Sequence, residues 1–187
     1  MVSMASLWLP IVLSAIIVFV ASSVLHMVLP FHRRDFRQLP REDEVMNALR
    51  GFDIAPGDYL VPCATGPQSM RDPAFVERMK RGPVFVATFM NPAQRTSLAR
   101  NLVLWFIYSL VVGVFAAYIA GEALPPGTPY PRVFQFAGCT AFIAYAVALW
   151  QNSIWYSKSW GTTLRSSVDG LIYGLLTAGV FGWLWPR

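Results

Sequence analysis

Four runs of predominantly apolar residues constrain this chain more than any other feature: Leu7–Leu29, Leu102–Ala120, Val133–Trp150 and Val168–Trp185. A bilayer's hydrocarbon core is about 30 Å thick and takes roughly 20 helical residues to cross. No water inside it can satisfy a backbone amide, so each run is expected to be a helix bonded within itself. Composition agrees: of 187 residues only 13% are charged, against about 25% in an ordinary soluble domain. Met1–Leu29 lacks a basic leading segment, and its apolar run exceeds that of a signal peptide. It is therefore expected to be a retained span.

Direction follows from cations, which gather in cytoplasmic loops. Eleven of the fifteen lysines and arginines fall between Phe31 and Arg100. Lys158 and Arg165 follow span three, whereas the opposite side has only Arg132 and Arg187. Trp and Tyr, which prefer membrane interfaces, cluster near the same predicted ends. The expected protein is mainly α and integral to the membrane, a four-transmembrane-helix bundle with a small α+β cytoplasmic insert between spans one and two. Span one occupies 1–30, the insert 31–100, and spans two to four 101–187. The layout resembles that of small multi-pass proteins of the bacterial inner (plasma) membrane. Both termini are expected on the non-cytoplasmic side.

The insert carries local signals. Glu42, Asp43 and Glu44 open a short helix where the macrodipole favours acids, and Arg50-Gly51 closes it. Asp72-Pro73 is an N-cap followed by proline at the first helical position, with Gly82 as the stop. "DYLVPC" and "PVFVATF" read as short strands, with Pro62 marking the first as an edge. Seventy residues of this kind have little core, so the insert is expected to rest on the membrane, the bundle, a second copy or a partner. Arg33, Arg34 and Arg37 are candidates for lipid-headgroup contact.

Small residues recur every fourth position in three spans: Gly170, Gly174, Ala178 and Gly182; Ser109, Gly113, Ala117 and Gly121; and Ala137, Ala141, then Ala144 and Ala148. Such ridges let helices approach closely in lipid, where no hydrophobic force drives them together. Packing within the chain is the plainer expectation, and a face for another copy the sharper one.

Ionisable groups within spans default to functional candidates. His26 and Asp169 are expected at similar depth near the inner ends of spans one and four, where they could meet. Arg165, four residues before Asp169, is a competing partner. Asp169 could also sit at headgroup level, favoured by the helix N-terminus. His26 and His32 are six apart, not the three or four of a helical metal pair, so no metal and no cofactor is expected. No phosphate loop, dinucleotide fingerprint or nucleophile elbow occurs. The basic pI lacks any nucleic-acid motif, and Cys63 and Cys139 form no CxxC pair.

Enzyme activity is accordingly disfavoured, with no catalytic residue assigned. The leading expectation is a structural, accessory or assembly role, with membrane lipids and other membrane subunits or copies of itself as partners and no nucleic acid. The alternative is an oligomeric carrier of protons, ions or small solutes through Asp169 and His26. A membrane-interface enzyme acting on lipid or quinone stands third.

Overall fold

The computed structural model describes residues 1–33, 35–92 and 97–187. The chain forms two compact units, Met1–Arg37 with Ala99–Arg187, and Gln38–Leu98.

The first unit is helical. Its helix α1 (Trp8–Ser23) follows a 3-10 turn and continues into a π-helical turn, Val24–Val28. Pro30 disfavours helical backbone at the residue before it, and Leu29 is indeed extended (φ −84°, ψ 142°). A further 3-10 turn, Pro30–His32, follows.

Three helices are long and apolar enough to cross a membrane: Met4–Val28, Leu98–Ala123 and Tyr130–Tyr156. Between 22% and 28% of each is buried, so most of their apolar surface faces away from the protein. The segment expected as the fourth span is helical over Trp160–Trp183. Its first half includes Thr162, Thr163, Arg165, Ser166, Ser167 and Asp169, which lower its mean hydropathy below that of the other three.

The third expected span is interrupted. Its helix ends at Tyr145, Ala146 leaves helical geometry (φ −123°), and a 3-10 turn, Val147–Leu149, leads into the short helix Trp150–Tyr156. Tyr108 Oη donates to the Ala144 carbonyl at 2.7 Å, bracing the backbone beside the interruption.

In the second unit, α2 (Glu42–Arg50) and α3 (Pro73–Arg81) form where the caps predict them. Asp72 Oδ1 accepts from Ala74 N at 2.9 Å. Gly82 stops α3 at φ 63°, ψ −172°, a conformation almost confined to glycine. Strands β1 (Gly57–Val61) and β2 (Phe85–Phe89) pair antiparallel, Tyr59 facing Ala87 and Leu60 facing Val86. Numbering of the later helices continues as α4 (Leu98–Ala123), α5 (Tyr130–Tyr145), α6 (Trp150–Tyr156) and α7 (Trp160–Trp183).

The small-residue ridges meet partners inside the first unit. A methyl at Gly170 would lie 2.7 Å from Ala146 Cβ, and one at Gly174 would lie 3.2 Å from the Gly138 carbonyl and the Phe142 backbone. A methyl at Gly182 would lie 2.7 Å from the Tyr130 ring. Ala178 is fully buried, close enough to Gly138 that a methyl there would lie 2.9 Å from it. The α7 ridge therefore seats on α5 and the turn that follows it. On α4, Ser109 and Ala117 are buried, and a methyl at Gly113 would lie 3.3 Å from the Ile11 carbonyl of α1. The third stripe is only partly inward: Ala137 and Ala141 are buried, whereas Ala148 is exposed.

One apolar cluster joins Leu7, Ile11, Ala117, Val133 and Phe181 with Trp185. A second gathers Val18, Val112, Ala141, Tyr145 and Tyr173. Trp105 Nε1 donates to Ser22 Oγ at 2.7 Å, tying α4 to α1.

Candidate functional site

After α1 the sequence "HMVLPFH" reverses on itself. The π turn carries His26, Leu29 extends before Pro30, and the next turn brings His32 back. The two imidazoles stack with centroids 4.3 Å apart and planes within 4°. π-helical turns interrupt regular helices and often occur at functional positions. Here the turn places His26 within reach of a residue that regular helical spacing would separate from it.

Asp169, in the first turn of the apolar stretch of α7, faces this pair. His26 Nε2 is 3.9 Å from Asp169 Oδ2, and His32 Nε2 is 2.9 Å from the same oxygen. His26 and Asp169 thus share a neighbourhood without a hydrogen bond, and His32 is the nearer histidine. Arg165 does not bond Asp169. Its Nε donates to Asp35 Oδ1 at 2.7 Å.

Asp35 was not singled out by the sequence, and it organises the site. Its Oδ2 accepts from His32 Nδ1 at 2.6 Å while its Oδ1 holds Arg165. Burial pushes the Asp35 carboxyl up, but the hydrogen bonds from His32 and Arg165 and their charges outweigh it and hold the group below its ordinary value. His26 Nδ1 lies 3.0 Å from the Ser22 carbonyl, which can only accept. Both Nδ1 atoms therefore carry the proton in a neutral ring, and both Nε2 atoms present a lone pair.

The resulting centre is polar and largely enclosed. The Asp169 and His32 side chains are 5% and 13% exposed, whereas His26 is 50% exposed. Among the described residues, His32 Nε2 and Asp169 Oδ1 are buried without a hydrogen-bond partner, and so is the Tyr173 hydroxyl one turn further along α7. Although His32 Nε2 and Asp169 Oδ2 are close, their approach is not aligned as an N–H···O bond.

The remaining sequence candidates lie elsewhere. Arg33 and Arg37 are exposed, and Arg34 lies outside the described residues. Cys63 and Cys139 are free and exposed. No family model, curated protein or solved structure matches this chain.

Proposed function

We propose that this protein is an accessory or assembly subunit of the bacterial inner membrane. Its four helical segments would hold it in the bilayer with both termini on the non-cytoplasmic side, and the Gln38–Leu98 unit would dock another membrane-protein subunit. The observation that carries this reading is the lack of a core in that unit. Among its described residues only Phe75 is buried. Both faces of the β1–β2 sheet expose large apolar side chains, with Leu60 51%, Val86 44% and Phe85 43% exposed. A two-stranded sheet with neither face covered is marginal in water, and an exposed apolar patch marks an interaction surface.

Charge distinguishes a protein partner from the lipid surface. Residues 38–98 contain seven lysines and arginines and seven acids, so the unit is neutral while the rest of the chain carries the whole +5. Headgroup attraction scales with excess cations and offers this unit nothing. Polar rims around apolar centres suit a protein interface.

The test is isolation of the full chain from its native membrane in mild detergent, with cross-linking and mass analysis. A stoichiometric subunit is expected, and it should dissociate on Leu60→Asp with Val86→Asp. Recovery as a strictly monomeric, partner-free species would overturn the reading. Carriage of protons or small ions by an oligomer is a second reading, favoured by the His26–Asp169 neighbourhood. Flux in proteoliposomes unchanged by Asp169→Asn and His26→Ala would exclude it.

A further inference from the structure

We propose that His26, His32 and Asp169 form a binding site for a divalent transition metal of the zinc type. Their ligand atoms all lie within 4.8 Å of one another, and the three side chains come from two segments far apart in sequence. The donor set, two imidazole nitrogens and one carboxylate oxygen, is one that Zn²⁺ accepts, and it leaves a fourth position open.

His26 Nδ1 donates to the Ser22 carbonyl, and His32 Nδ1 donates to Asp35. In the neutral rings, the form that binds a metal, both Nε2 atoms therefore carry lone pairs within 4 Å of Asp169 Oδ2, which is also an acceptor. Three potential ligand atoms converge, and among the described residues His32 Nε2 and the other Asp169 oxygen, Oδ1, are buried without a hydrogen-bond partner. Buried acceptors without partners are rare enough to need a cause. A shared proton fills such a gap only along an aligned N–H···O path, which the 2.9 Å His32–Asp169 approach does not provide. A metal binds off that line, contacting each atom separately.

Dimensions fit with one adjustment. Metal–ligand bonds of about 2.1 Å in a tetrahedron hold ligand atoms roughly 3.4 Å apart, and the observed 2.9 and 3.9 Å separations bracket that value. The parallel imidazole planes cannot both contain one metal, so the His26 ring must turn. It is the half-exposed member, whereas His32 and Asp169 are enclosed. Asp35 accepts from His32 Nδ1, the outer hydrogen bond to a carboxylate, backbone carbonyl or water that ligating histidines almost always make, which fixes tautomer and ring direction. Arg165 in turn holds Asp35.

The test uses the full chain without a polyhistidine tag, purified in detergent and freed of metal by chelator. Metal content is measured after Zn²⁺ loading, and Co²⁺ serves as an optical probe displaced by Zn²⁺. One metal per chain is expected, with visible Co²⁺ bands in the range of tetrahedral or five-coordinate sites. His32→Ala and Asp169→Asn should abolish stoichiometric binding. Asp35→Asn, which touches no metal, should weaken it about 10- to 100-fold. His26→Ala changes a half-exposed side chain, keeps the fold in the test, and should also weaken Zn²⁺ binding while altering the Co²⁺ spectrum. Helicity and elution volume verify that each variant is folded. A folded parent protein that takes up no stoichiometric Zn²⁺ or Co²⁺ overturns the proposal, and so does binding indifferent to His26→Ala and Asp35→Asn.

Discussion

Gly170→Ala tests whether the α7 ridge is spent inside the chain. The added methyl would lie 2.7 Å from Ala146 Cβ and 3.3 Å from Ala146 Cα and N. Carbon atoms pack favourably at about 3.5–4.0 Å, so the closest contact falls short by roughly 1 Å. Ala146 has no side-chain torsion with which to retreat, so α7 and the turn after α5 must separate. Overpacking costs about 1–3 kcal/mol, and a clash with a rigid alanine and its backbone belongs in the upper part of that range, about 2–3 kcal/mol. Alanine's better helix propensity returns up to about 1 kcal/mol, leaving a net loss of about 1–2 kcal/mol. The assay is equilibrium unfolding in mixed detergent and SDS micelles, followed by helicity and by tryptophan fluorescence. Ala146→Gly in the same chain removes the nearest atom and should recover part of the loss, and a double-mutant cycle separates that coupling from the intrinsic effects. A Gly170→Ala chain as stable as the parent, or a cycle with zero coupling, would refute the seating of Gly170 on Ala146. A ridge used between copies predicts the opposite pattern: loss of oligomer with monomer stability intact.

Two smaller effects follow from other contacts. Trp105→Phe removes the 2.7 Å bond from Nε1 to Ser22 Oγ. Interhelical hydrogen bonds in membranes are worth about 0.6 kcal/mol on average, so the same unfolding assay should register a loss of that order. Gly82→Ala places a side chain at φ 63°, ψ −172° and should cost about 1–3 kcal/mol. Limited proteolysis after α3 should quicken accordingly, with helicity of the first unit unchanged.

How much was legible depended on how local the cause was. Asp72-Pro73 and Gly82 mark both ends of α3 because caps act on neighbouring amides. Apolar length alone located three helices long and apolar enough to cross a membrane. The fourth was marginal because Arg165 and Asp169 occupy its first half, and whether a polar first half is tolerated depends on what those residues meet. His32 was missed for a geometric reason. Six residues from His26 is a poor spacing on a regular helix, and only the π turn with the extended Leu29 before Pro30 makes the rings neighbours. Arg165 had a tempting partner four residues away in Asp169, yet it bonds Asp35, 130 positions distant. The interruption at Ala146 had no proline or glycine to announce it.

The two ends of the chain are stitched to the last turn of α4 and the loop that follows it. Val2 N donates to the Gly121 carbonyl at 2.9 Å, Gly127 N donates to the Pro186 carbonyl at 2.8 Å, and Trp185 Nε1 donates to the Pro125 carbonyl at 3.1 Å. In polymer terms the first unit is almost a closed ring, its seam held by hydrogen bonds where a covalent link could stand. A short peptide joining the ends would restrict the unfolded chain more than the folded one. New termini could then open in the exposed Gln38–Leu98 unit, giving a permuted protein whose long helices keep their order of contact.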